Sequence, residues 1–334
     1  MEHLVQNDFG QPVGASVLGW QPAALPPRTL MHGTHVTLEP LDLAQHGDAL
    51  WSAFGLHAGL ATADHEARAK AWTYLPIGPF EQRGAFDEAM ASLAALPGFY
   101  FFAVVPGGGA AAGFLSLMAV KPAAGSVEVG FVAFSPSLQR SAASTEALFL
   151  AMRRAMGEGL GYRRLEWKCD ALNAKSFSAA QRLGFTHEGT FRQCTVYKGR
   201  NRDTAWFSLL DGEWPAVAAA FEGYLAAGNF DASGAQLRPL REFVVVREGG
   251  GGGQGAQVEL QARAEAEAEV AAAATAAAKA EREANAKAVF KRQNRLRRQA
   301  EEEARAATEE AEAAATVAAT AMLAALSSPD QDRT

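Results

Sequence analysis

The sequence predicts an α/β fold of the α+β kind: a mixed sheet with helices on both faces, followed by a long Ala-rich C-terminal helix. Three observations predict it. Between residues 35 and 226, runs of strand length and helix length follow one another as strand, helices, three strands, helix, strand, helix and two strands, with a closing helix. Residues 161–215 make a compact β-α-β unit: an alternating run, a helical run opening at Asn173, and a Gly184-Phe185 step into another strand. Past Gly249–Gly253 the composition changes to Ala, Glu, Lys and Arg, with no Gly or Pro over residues 256–326.

Each element has a local reason. Residues 1–30 are rich in Gly and Pro and read as an extended arm. Residues 35–38 read as the first strand, ended by Pro40, and 42–54 as a helix. Residues 72–80, Trp-Thr-Tyr-Leu-Pro-Ile-Gly-Pro-Phe, cannot form regular helix because of their two prolines. A helix over 83–96 follows. Strands over 100–105 and 113–120 flank Pro106-Gly-Gly-Gly109, whose turn chemistry predicts a hairpin. Then come a strand (126–134), a helix (144–157), a strand (165–170) and a helix (174–183). Two last strands bracket a turn at 198–203, and a helix over 214–226 closes the domain. The expected division is an arm (1–30), one domain (31–248), a Gly-rich linker (249–255), a helical tail (256–327) and a disordered end (328–334). The tail would reach about 100 Å at 1.5 Å per residue. Its large apolar residues are too sparse to sustain a heptad, so a single helix is expected.

Composition excludes several classes. The net charge of -6 rules out a global nucleic-acid binder. Cys169 and Cys194 cannot make a disulfide framework and fit a reducing compartment. The seven histidines form no ligand cluster, so no metal is expected. With no apolar leader and no membrane-length run, the expectation is a soluble cytoplasmic protein.

Five places could carry chemistry or contact a substrate. Gln139-Arg-Ser-Ala-Ala-Ser144 joins a strand to a helix; Ser144 and Thr145 either cap that helix or bind an anion at its N-terminus. Asn173 opens a helix as a cap, with Ser176 in its first turn. Glu128 alternates with valines in Val-Glu-Val-Gly130, so it faces away from them, toward solvent, an Arg or a ligand. Trp72, Tyr74 and Phe80 either pack into the core or form a lid over an acceptor. The turn carrying Arg192, Lys198, Arg200 and Arg202 is basic: a solvated hairpin, or a contact for an acidic or peptide substrate.

The order Gly161-Tyr-Arg-Arg-Leu-Glu-Trp-Lys-Cys169, Asn173 with Ser176, Arg182-Leu-Gly-Phe185, Glu188-Gly189 and Asp203-Thr-Ala-Trp206 resembles the acyl-CoA core of the GNAT superfamily of N-acyltransferases. More narrowly, it resembles the Rim-type enzymes that acetylate N-terminal Ser or Ala of ribosomal proteins. The resemblance runs from about residue 10 to 240. It implies a mostly antiparallel GNAT-like sheet and an acetyl-CoA-dependent N-acetyltransferase using acetyl-CoA as co-substrate. Gln139, Arg140, Ala142, Ser144 and Asn173 would line CoA, and the backbone of Gly130 and Val132 would hold the pantetheine amides. Two departures stand out. Ala142 replaces the glycine of Q/R-x-x-G-x-G/A, and Ala180 takes the place of the common tyrosine acid. The resemblance therefore gives the acid role to Ser176 and the base role to Glu128, with Thr195 standing where Rim-type relatives carry a carboxylate. The acceptor would be a protein N-terminal amine, a small amine or an amino acid. The other class of reading is a non-catalytic CoA-binding scaffold. Residues 279–298, with eight basic side chains against two glutamates, are either a solvated helix face or a contact for RNA or a ribosome surface.

Overall fold

The computed structural model of the protein describes residues 5–231 and 234–244. The expectations for the linker, the helical tail with its basic segment 279–298, and the end 328–334 lie outside the described residues. The elements are β1 (Val5–Gln6), β2 (Pro12–Val13), β3 (Met31–His32), β4 (Val36–Pro40), α1 (Leu43–Phe54), α2 (Thr62–Ala71), α3 (Arg83–Ala94), β5 (Tyr100–Pro106), β6 (Gly113–Lys121), β7 (Ser126–Phe134), α4 (Ala142–Met156), β8 (Arg164–Asp170), α5 (Ala174–Arg182), β9 (Thr186–Tyr197), β10 (Arg200–Leu210) and α6 (Trp214–Leu225). β1 and β2 form a small hairpin, and the other strands make one sheet in the order β3-β4-β5-β6-β7-β8-β10-β9. Every pairing is antiparallel except β7 with β8.

The sheet has two apolar faces. On one, Val127, Val129, Leu165, Trp167, Ala205 and Phe207 pack against α4, α5 and α6. On the other, Phe101, Phe114 and Ala133 pack against Leu50, Phe54, Trp72, Phe86 and Met90 from α1, α3 and the segment between them. Period-two alternation sets this division: each inward residue of β7, β8 and β10 is followed by one on the opposite face.

Two buried charges fasten the N-terminal part to α4. Glu146 accepts the backbone N–H groups of Thr34 (2.7 Å), His35 (2.5 Å) and Val36 (3.1 Å) in the turn between β3 and β4. A Cβ at Gly33 would lie 2.4 Å from the Glu146 carboxyl carbon, so the turn can approach this closely only with glycine. Two turns further along, Arg154 donates to Pro27 O (2.9 Å), Leu30 O (3.3 Å) and Thr29 Oγ1 (3.0 Å) and pins the arm across the fold.

Four sequence expectations change. α2 was not expected: it buries none of its residues, so it has no apolar stripe to betray it. α4 starts at Ala142 rather than 144, because Ser141 is its cap. The arm is not wholly extended, since it holds the β1–β2 hairpin. The last turn is shorter than 198–203: Lys198 (φ 49°) and Gly199 (φ 70°) are both left-handed, the requirement of a two-residue hairpin loop, and pairing resumes at Arg200.

Candidate active site

The site begins where the parallel pair comes apart. β7 and β8 pair only through Ser126–Arg164, Val127–Leu165 and Glu128–Glu166. Beyond Glu128, β7 pairs with β6 alone and β8 with β10 alone, so the two strands open like a V. β7 is also bulged here: Ser116 pairs with Gly130 and Phe114 with Ala133, and Phe131 takes a left-handed φ of 49°. The Gly130 carbonyl is held by Ser116 Oγ at 3.1 Å. Gly130 and Val132 therefore lie along the open side of β7, where backbone groups turned to the gap have no strand to pair with.

Both strands end in helix N-termini at their carboxyl ends, the usual ligand position in parallel sheet. β7 leads through a short loop to α4. Arg140 is left-handed (φ 59°). Ser141 Oγ then accepts Ser144 N (3.0 Å), while Ser144 Oγ accepts Ser141 N (3.2 Å) and donates to Ser141 O (2.8 Å). This reciprocal cap engages the hydroxyl expected to bind the co-substrate, so Ser144 builds the helix start. The amides of Ala142 and Ala143 are the first two of the helix, which no intrahelical carbonyl accepts. Together with the positive end of the helix dipole they suit a phosphate. Gln139 is exposed, and its Nε2 donates to Phe134 O (2.9 Å), bracing the loop.

β8 leads into α5. Asn173 Oδ1 accepts Ser176 N (3.2 Å), a cap that leaves the Asn173 side-chain amide nitrogen out of the helix. Ser176 Oγ accepts the indole N–H of Trp167 (3.1 Å) and also reaches Cys169, whose thiol burial pushes up to about 11. Ser176 thus stands on the helix-covered face of β8, its oxygen accepting from Trp167 and its hydroxyl within reach of the Cys169 thiol.

Glu128 stands on the opposite face. Lys168 Nζ lies 2.7 Å from Glu128 Oε2 and 2.8 Å from Glu166 Oε2, and sits 4.0 Å from the centre of the Trp206 ring. Arg164 continues the row, 2.9 Å from Glu166 and 2.8 Å from Glu188, which also accepts Ser208 Oγ at 2.7 Å. Burial raises the Glu128 pKa above 4.5 against the pull of Lys168. Burial also opposes ionisation of Glu166, but hydrogen bonds from Lys168 and Arg164 leave its pKa lowered. Two carboxylates on adjacent strands are therefore pushed apart in acidity, and the one at the mouth of the V is the better base.

The aromatic loop behaves differently from a lid. Trp72 is fully buried among Phe54, Phe80, Phe86 and Phe114, its Nε1 donating to Phe54 O (3.3 Å), which overturns its expected acceptor contact. Phe80 packs edge-on against Trp72 and Phe86. Tyr74 keeps a place near the site, its hydroxyl donating to Leu172 O (3.0 Å) just before α5. Lys198 at the hairpin tip donates to Trp72 O (2.7 Å). Thr195, on β9, is exposed.

Sequence reasoning missed Lys168, Glu166, Trp206 and Arg202 as members of this face. The signal was present in Leu165-Glu-Trp-Lys-Cys169: alternation puts Glu166 and Lys168 on the face opposite Trp167. A separate surface depression lined by Phe191, Arg192, Gln193, Asn201 and Asp203 lies on the β9–β10 hairpin and contains neither Glu128 nor Ser176. Among the described residues, no group of three or more His, Cys, Asp and Glu could hold a metal, and no helix is long and apolar enough to cross a membrane.

A sheet with one parallel pair, opened beside two helix N-termini, defines an acyl-CoA-binding class of enzyme, and comparison with known proteins agrees. The family model for the acetyltransferase (GNAT) domain matches residues 37–186. A GCN5-related N-acetyltransferase from Brucella melitensis is 41% identical, with 68% of this chain and 99% of that one covered and a TM-score of 0.63. A probable acetyltransferase of the GNAT family from Chromobacterium violaceum ATCC 12472 is 42% identical, with 62% and 98% covered and a TM-score of 0.55. No curated protein sequence matches. The chain belongs to the GNAT family: it is an N-acetyltransferase whose co-substrate is acetyl-CoA.

Proposed function

We propose that this enzyme acetylates the α-amino group of protein N-termini, with Ser or Ala first, in the cytoplasm. The observation that carries the chemistry is the opening after Glu128. It joins the two faces of the sheet at the one point where a base stands on one side and a hydroxyl acid on the other. The narrower acceptor rests on Ser176 with Ala180, and on Glu188-Gly189 followed by Arg192-Gln193, the block that resembles Rim-type enzymes.

In this reading the amides of Ala142 and Ala143, with Arg140 beside them, hold the pyrophosphate, and the backbone of Gly130 and Val132 holds the pantetheine arm. Gln139 and Ser144 shape that loop rather than touch the ligand, and Asn173 offers its side-chain nitrogen. Acetyl-CoA supplies an activated acyl group. Glu128 takes the proton of the incoming ammonium, directly or through a water, so that a neutral amine attacks; its raised pKa suits that work near neutral pH. Ser176 gives its proton to the departing thiolate as the C–S bond breaks and is reprotonated from solvent, while the nitrogen loses its remaining extra proton to solvent as the amide forms. Lys168 keeps Glu128 turned to the opening. No nucleophilic Cys or Ser enters, because the buried Cys169 thiol is held protonated by its surroundings.

The test is thiol release by the full-length protein from acetyl-CoA with Ser- and Ala-initiated peptides, free amino acids and polyamines. The peptides are expected to give the highest kcat/KM. A preference for a polyamine or a free amino acid would assign the enzyme to small amines. No turnover with any amine, alongside saturable acetyl-CoA binding, would favour a scaffold.

A further inference from the structure

Arg202 stands out on the Glu128 face. It is half-buried near the start of β10, its guanidinium 5.6 Å from the centre of the Tyr197 ring and within electrostatic reach of Glu128. Arg164 and Lys168 on the same face each bridge two carboxylates. Arg202, among the described residues, bridges none. The neighbouring acids are engaged: Asp170 accepts Tyr197 Oη (2.8 Å) and Leu172 N (2.9 Å), and Asp203 accepts Gln193 N (2.7 Å) and Asn201 Nδ2 (3.0 Å). Arg202 Nε is closed off from solvent with no acceptor, and so is the indole Nε1 of Trp206, four residues along. Trp206 is the ring on which Lys168 rests. Buried donors without acceptors are rare and call for an explanation.

We propose that Arg202, assisted by Trp206, forms a subsite for the carbonyl or carboxylate oxygen next to the attacking amine of the acceptor. The inference rests on the N-terminal acetylation reading and deepens it. A peptide N-terminus carries a carbonyl oxygen one carbon from its amine, and an amino acid carries a carboxylate there. Either supplies the acceptor that the guanidinium fork lacks while the amine meets Glu128. A polyamine has no such oxygen, and a further ammonium beside its reacting amine would meet the like charge of Arg202. Arg202 therefore selects for the acceptor without taking part in proton transfer.

The experiment is steady-state kinetics of the full chain, wild type against R202Q and R202K, with a Ser-initiated peptide amide, free serine, ethanolamine and spermidine. R202Q is expected to raise KM for the peptide about tenfold or more, as expected for loss of a charged hydrogen bond, with kcat within about threefold and KM for acetyl-CoA unaltered. The ratio of peptide to spermidine kcat/KM should fall in step. R202K keeps the charge without the fork and should lie between; it supplies the same readout if R202Q does not fold. A larger loss for serine than for peptide would assign the subsite to a carboxylate, and the reverse to a peptide carbonyl. Wild-type turnover of peptide with an R202Q KM within twofold overturns the subsite alone, and so does a parallel rise in KM for acetyl-CoA. Wild-type turnover of spermidine but of neither peptide nor serine overturns the acceptor reading and the subsite together.

Discussion

Glu128 and Glu146 are almost equally withdrawn from water, 6% and 4% exposed, yet their surroundings have little in common. Glu146 is ringed by three backbone amides of one turn, a set of donors that cannot move or titrate. Glu128 has one mobile side-chain partner, Lys168, which it shares with Glu166, and beyond it the sheet is open. Burial alone does not mark a catalytic carboxylate; what matters is whether its lone pairs are already satisfied by fixed donors. The first arrangement stabilises the fold, and the second leaves a group free to change protonation.

That contrast can be broken most forcefully at Glu146. Glu146→Ala strands one buried and two partly buried amides, and a buried unpaired amide costs about 1–3 kcal/mol, so a loss of about 3 kcal/mol is expected in urea unfolding. A loss below about 1 kcal/mol would mean that the turn finds other acceptors. Glu128→Gln should do the opposite, lowering kcat about 100-fold, or about 2.7 kcal/mol of barrier, with little change in Tm. Its acidic rate limb should flatten, because wild-type activity rises as Glu128 loses its proton through a raised pKa. A pH profile superimposable on wild type would remove Glu128 from the base role.

On the other face, Ser176→Ala should lower kcat about tenfold, or about 1.4 kcal/mol, while leaving the acetyl-CoA dissociation constant unaltered. An unaltered kcat would return Ser176 to packing under Trp167. The smallest effect concerns acid stability. Glu166 and Glu188 have folded pKa values below 4.5, so the stability they lend is present above that pH and fades as pH falls through the lowered values. Glu128 has the reverse sign: its raised value favours the fold at low pH, and that contribution is lost as pH rises through it. In acid unfolding, Glu188→Gln should therefore flatten the decline below pH 4.5, while Glu128→Gln should not. An unchanged Glu188→Gln curve would remove the Arg164 pair from that account.

Much of this was readable in the chain, because period two is a strong local signal. β7 has the bounds expected of it, and the orientation of Glu128 follows from Val127 and Val129. Its partner Lys168 was not readable as such, since that pairing depends on a parallel neighbour chosen by topology. Trp72 was left between core and lid because a loop with two prolines gives no period from which to tell inside from outside. The α4 start was misread because Ser141 and Ser144 look alike for capping and for anion binding, and only the hydrogen-bond pattern separates them. The membership of Arg202 follows plain alternation with Thr204 and Trp206 along β10, but the irregular partner strand β9, where Thr195 and Phe191 pair with Arg202 and Thr204, hid its place beside the site.

The three bonds at Glu146 also order the life of the chain in time. They join residues separated by 110 to 112 positions. During synthesis the β3–β4 turn emerges first and must wait, its amides solvated, until α4 has left the ribosome. Such distant closure slows folding. The β3–β4 hairpin is therefore locked only after α4 has been made.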